Sequence, residues 1–249
     1  NESITRECPS RVCHVMRTNL QKYTLHNGLQ VLAVPHAMTQ TVTVMVYVKV
    51  GSRYETTAVN GASHFIEHLM FKGTKRRPTS LHLTKELDRY GAEYNAYTGK
   101  DLTVYYIKID ASKTALAIDL LHDMLFKSKY DAHEVDRERG VILEEINMYE
   151  DNPGSVMEDQ LEEIFFPNHP LGWNIAGPKE NIRTMTREAL VEYRDTHYVP
   201  ERVTIVVAGN ISKDVPELLE KTFGKVKSPK QSGGHDYISF LPPTRTEPT

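Results

Sequence analysis

Two histidines and a glutamate, His64, Glu67 and His68, interrupt residues 63–74 (SHFIEHLMFKGT), a segment that otherwise has the apolar pattern of a buried helix. Burying an unpaired polar side chain costs on the order of 1–3 kcal/mol, so three of them on one apolar helix require partners. Residues four apart share a helix face, which points the ring nitrogens of His64 and His68 at a common position. Two neutral imidazoles at that spacing suit a divalent zinc, which would take a third protein ligand from elsewhere and keep a fourth position for water. Glu67 lies at the edge of the same face and stays free for proton transfer. A histidine pair four apart arises easily by chance in a chain with 11 histidines, and a lone histidine on an apolar face is more often a satisfied core residue. The full H-x-x-E-H pattern is much rarer and points to metal-assisted hydrolysis.

A helix predicted over residues 131–150 (DAHEVDRERGVILEEINMYE) offers the third ligand. With Ile142 as reference and about 100° per residue, Val135, Ile146 and Tyr149 fall within about 40° and form the expected buried stripe. Glu138 and Glu145 fall about 40° and 60° to one side of it, while Glu144 falls about 160° away and faces solvent. A carboxylate at the border of a buried face needs a partner. One of the pair can ligate zinc, and the other can hold a ligand histidine by its second nitrogen. Spacing alone does not choose between Glu138 and Glu145, and surface pairing with Arg137, Arg139 or a lysine accounts for them equally well.

The elements that must position these groups alternate along the chain. Residues 23–25, an Asn27-Gly28 turn and residues 29–34 read as a hairpin. Residues 41–50 (TVTVMVYVKV) alternate as a half-buried strand. Helices are predicted at 61–71 and from Thr79 or Ser80 to Gly91, which supplies a C-terminal glycine. A strand at 102–109 precedes helices at 112–126, 131–150, 155–165 and 186–197, and a strand at 203–208 with a helix at 212–223 closes the pattern. Hairpins mixed with helix pairs indicate an α+β fold, a mostly antiparallel sheet with helices packed on one face. The expected organisation is an N-terminal segment (1–19), a catalytic domain (20–227) and a linker (228–249) toward a further domain, the last from the Pro, Ser, Gly and Thr content of SPKQSGGHDYISFLPPTRTEPT.

A chain of 249 residues with 39% hydrophobic content can build a sizeable core. Its net charge of −3 gives no global reason to expect nucleic acid or an anionic membrane as partner. Residues 72–77 (KGTKRR) read as a solvated surface turn. No apolar run approaches the ~18 residues of a membrane helix, and the start lacks the layout of a secretory signal. Cys8 and Cys13, without zinc-finger partners, are expected to be free thiols, in keeping with a reducing compartment.

The segment GASHFIEHLMFKGT, followed 77 residues after His68 by Glu145 within RERGVILEEINMYEDNP, resembles the pitrilysin family of inverted-motif zinc metallopeptidases. LHNGLQVLAVP, VKVGSRYE, YGAEYNAYTGKDLTVYYI, NHPLGWNIAGPKENI and YVPERVTIVVAGNI resemble, in this order, the N-terminal half of such proteins, in the smaller bacterial and mitochondrial branch. The resemblance implies His64, His68 and Glu145 as ligands of one zinc, Glu67 as catalytic base and Glu138 as support of the site from the helix of Glu145. It also implies residues 93–98 (EYNAYT) as an exposed edge strand onto which extended peptide substrates add, with Asn95 and Ala96 facing the scissile region. A sheet edge offers main-chain hydrogen bonds to any extended peptide, so the mode is chemically sensible; for Asn95 a plain turn role is the alternative. The implied function is a zinc endopeptidase built as a clamshell of two related halves, with the second half supplied by the same polypeptide or by a partner subunit, a dimer included. The alternative function is a peptide-binding or assembly subunit that keeps the fold without turnover. The bacterial cytoplasm is the expected compartment, with the mitochondrial matrix as the alternative.

Overall fold

The computed structural model describes residues 19–228; Cys8, Cys13 and all but the first residue of the expected linker lie outside the described residues. Three strands come first, β1 (Gln21–Thr24), β2 (Gln30–Pro35) and β3 (Thr41–Val48). Helices α1 (Ala62–Met70) and α2 (Ser80–Asp88) lead to β4 (Glu93–Thr98) and β5 (Thr103–Asp110). A helical stretch follows: α3 (Thr114–Lys127), α4 (Ala132–Glu150), α5 (Pro153–Phe165), α6 (Lys179–Thr184) and α7 (Arg187–His197). β6 (Val203–Gly209) and α8 (Val215–Thr222) complete the described chain. The first hairpin turns where the Asn-Gly pair predicts, with Gly28 at φ +92°, a left-handed conformation that a side chain would strain.

The six strands form one sheet in the order β1-β2-β6-β3-β5-β4. Every neighbouring pair is antiparallel except β2 and β6, which run parallel. The fold is therefore α+β with a mixed sheet, and its last strand lies between its second and third. Alternation in β3 buries Val42, Val44, Val46 and Val48 completely. In register beside them stand Ile109, Ile107 and Tyr105 of β5 and Val207 and Ile205 of β6, all on the same face. Phe65, Ile66 and Leu69 of α1 and Ala117, Ile118 and Leu121 of α3 belong to the same apolar core. Burial of each such large side chain contributes roughly 1.5–3 kcal/mol.

Two expectations are corrected here. Residues 72–77 are not a solvated turn, because Thr74 is fully buried and Arg77 is only 7% exposed. The Arg77 guanidinium donates to Glu86 (2.9 Å), Asp123 (2.9 Å) and Asp119 (3.0 Å). Thr74 Oγ1 donates to Asp123 at 2.7 Å and accepts from the backbone N–H groups of Arg76 and Arg77. A planar guanidinium that meets three carboxylates can leave water, whereas an unpaired one could not. The second correction concerns Tyr149, expected within the buried stripe of α4 and found 42% exposed at the rim of a cleft. Val135, Ile142 and Ile146 do form that stripe, and Glu144 is exposed as the helical angle predicts. Helix α6 is an addition to the predicted elements, since six residues are too few to show a period.

Candidate metal centre

Helix α1 commits its apolar side to the core, so its polar residues emerge on the flank that packs against α4 and β4. There Nε2 of His64 and Nε2 of His68 lie 3.2 Å apart. Glu145 Oε2, from α4, stands 3.3 Å from His68 Nε2 and 3.7 Å from His64 Nε2. Donors held at 2.0–2.1 Å by a tetrahedral zinc are about 3.3 Å apart, so the three atoms have the spacing of three corners around one ion. Glu138 stands behind the cluster: its Oε1 meets His68 Nδ1 at 2.9 Å and its Oε2 meets Lys72 Nζ at 2.6 Å. The choice that helical spacing left open is thus made by α1, with Glu145 brought to the ring nitrogens and Glu138 to the far side of His68. Nδ1 of His64 is buried and has no hydrogen-bond partner among the described residues.

The electrostatics of the cluster follow from this arrangement. Burial opposes charge on His68, but hydrogen bonds to Glu138 and Glu145 outweigh it and raise its pKa to about 9. His64 moves the other way, to about 4, because burial and the neighbouring His68 both disfavour its protonation. The hydrogen bond with His68 holds Glu145 below the usual carboxylate range. Burial alone would raise Glu138, yet His68 and Lys72 bring it down. Two imidazoles and one anionic carboxylate, with a second carboxylate behind His68, are an arrangement that fits a divalent cation.

Glu67 is not part of the donor triangle. Its Oε2 accepts a 2.6 Å hydrogen bond from Thr98 Oγ1 at the end of β4, and burial raises its pKa. A cleft of about 420 Å³ opens in front of the cluster, with His64, Glu67, Ala96, Thr98, Glu145 and Tyr149 in its wall. β4 is an edge strand paired with β5 alone, so the other edge of its backbone is unpaired among the described residues. Ala96, 8% exposed, faces the cleft. Asn95 does not: it is exposed on the opposite side of the strand, and its Oδ1 accepts from the Ala96 N–H at 2.9 Å. Thr98 and Tyr149 are residues that sequence reasoning does not single out. Thr98 gives no signal beyond its place at the end of EYNAYT, and Tyr149, whose pKa burial and the nearby Glu145 raise, has the angle of a core aromatic.

Comparison with known proteins gives a consistent picture. A family model described as Insulinase (Peptidase family M16) matches residues 30–179, and one described as Peptidase M16 inactive domain matches residues 184–248. The chain is 37% identical over 221 residues to the "Uncharacterized zinc protease YmxG" of Bacillus subtilis, covering 89% of this chain and 54% of that protein. It is 38% identical over 231 residues to the "Mitochondrial-processing peptidase subunit beta" of Blastocladiella emersonii, covering 92% and 49%. Among solved structures, a protease from Helicobacter pylori superposes with a TM-score of 0.82 at 28% identity, covering 86% of this chain and 52% of that one. The chain spans about half the length of the curated relatives it matches.

Proposed function

The chain belongs to the insulinase family of peptidases, family M16, and from that premise we propose that it is the metal-binding half of a zinc-dependent endopeptidase acting on extended peptides. The observation that carries the reading is the convergence of His64, His68 and Glu145, whose donor atoms lie within 4.8 Å of one another, beside a carboxylate outside that set and an open strand edge. Zinc held by these three residues would supply a Lewis acid that acidifies water and polarises a peptide carbonyl. Glu67 is the base: it takes the proton of the attacking water and delivers it to the nitrogen of the leaving amine. Its burial keeps its proton affinity above that of an ordinary carboxylate, and the Thr98 hydroxyl holds one of its oxygens in the wall of the cleft. A peptide adds to the free edge of β4 by main-chain hydrogen bonds, and the small side chain of Ala96 lets it lie close to Glu67. Residues 20–227 are the catalytic unit in this reading, residues 228–249 lead on from it, and a second half, covalent or from a partner subunit, closes the far side of the cleft.

The test is zinc content per chain together with cleavage of a long quenched fluorescent peptide before and after chelation. The expected result is one zinc per chain and cleavage that the chelator abolishes and zinc restores. A folded, metal-supplemented sample free of zinc overturns the reading. A second expected result concerns Glu138. Glu138→Gln removes the anion behind His68 Nδ1 and should weaken zinc binding by about 10–100-fold while the chain stays folded. Competition against a chromophoric chelator measures it, and unchanged affinity would remove Glu138 from the site.

A further inference from the structure

Helix α1 begins without a side-chain cap of its own. Its N-cap is Gly61, at φ +99°, and the first backbone N–H groups of a helix have no acceptor within it. The acceptor comes from Glu55, a carboxylate only 1% exposed. One of its oxygens accepts from Ser63 N at 2.7 Å, and the other accepts from Gly61 N at 2.8 Å and from Asn60 Nδ2 at 2.9 Å. Among the described residues Glu55 forms no salt bridge; burial pushes its pKa up, and only the neutral donors Ser63, Asn60 and Gly61 oppose that. That is an expensive arrangement for a helix start that a single serine or aspartate could cap.

What Glu55 holds lies next to the candidate metal centre. Ser63 precedes His64, so the bond to its N–H fixes the turn from which His64 projects. Asn60 donates at the same time to the Asn174 carbonyl at 3.2 Å, and Asn174 and Ala176 stand in the wall of the cleft. The helix start and that wall are also in direct contact, since a Cβ on Gly61 would come within 2.6 Å of the Ala176 oxygen.

We propose that Glu55 is a positioning residue, which sets the first turn of α1, and with it His64, against Glu145 of α4 and against the 174–176 wall. The inference rests on the zinc reading above. Its test is the zinc affinity of the chain, by competition with a chromophoric chelator, for wild type, Glu55→Gln and the core variant Val31→Ala as a control for lost stability. In Glu55→Gln an amide donor faces backbone donors and the charge is gone. Zinc affinity should fall about tenfold with the fold retained by circular dichroism, while Val31→Ala stays within about twofold of wild type. If Glu55→Gln does not fold, Asn60→Ala decides, with an expected fall of about threefold. Unchanged affinity in the folded variant, or an equal fall in Val31→Ala, overturns the role of Glu55 and leaves the zinc site standing. A wild-type chain that binds no zinc overturns both.

Discussion

Glu67→Gln is expected to lower kcat/KM for peptide hydrolysis by about 10²–10⁴-fold with zinc content unchanged. The amide keeps the shape of the side chain and can still accept from Thr98 Oγ1, so the cleft should not move. It cannot take a proton from water or return one to an amine. Zinc binding is spared because Glu67 lies outside the set His64, His68 and Glu145. The comparison is made at saturating zinc, in whichever form of the protein shows chelator-sensitive cleavage. Undiminished cleavage by the variant would show that the proton travels by another group. A wild type and a variant that both carry zinc and both lack cleavage under every condition would instead favour the assembly subunit.

The second large effect is on stability. Arg77→Met is expected to destabilise the chain by about 3–5 kcal/mol, because it takes from the buried Asp123 its closer and more buried counter-ion. Asp123 is 2% exposed and would keep only the Thr74 hydroxyl and the more exposed Arg76 as polar partners. Against a typical total of 5–15 kcal/mol this is a large share. Chemical denaturation measures it, with equal slopes for wild type and variant as the check that both unfold in the same way. Adding Asp123→Leu to Arg77→Met should recover part of the loss, since the stranded charge is then gone. A loss below about 1 kcal/mol would mean that the network is solvated after all.

The parts of the fold that can be read from the sequence are those with a long, clean period. β3 alternates over eight residues, and α4 runs for 19, long enough for an angular argument to turn Glu144 outward and bring Glu138 and Glu145 to the edge of the buried stripe. The same argument misplaces Tyr149 because an angle gives a direction and not what stands there, and at that height α4 faces a cleft. β4 shows no period, since an edge strand with its polar residues on both sides buries little more than Ala96; only the resemblance marks it as a strand. Arg77 reads as one more basic residue in KGTKRR because two of its carboxylates lie on α3, more than 40 positions away. Of the site itself, the spacing shows His64, Glu67 and His68, while which of Glu138 and Glu145 meets the ring Nε2 atoms depends on where α1 crosses α4. The contacts of Glu55 and Thr98 are ones that no local pattern announces.

The place of β6 has a consequence for how the chain reaches this structure. Gln30 pairs with Thr204, and Val48 with Val203, so the strand that joins the two parts of the sheet leaves the ribosome after the other five. Until then the nascent chain can form only a β1–β2 ribbon and a separate β3–β5–β4 unit, each with an unpaired inner edge. Closing so long a loop is slow, and open edges invite pairing with other chains in the interval. Until Gly209 has left the ribosome the histidine pair sits on a helix whose supporting sheet is still in two pieces, so metal loading should follow the emergence of β6 and not precede it.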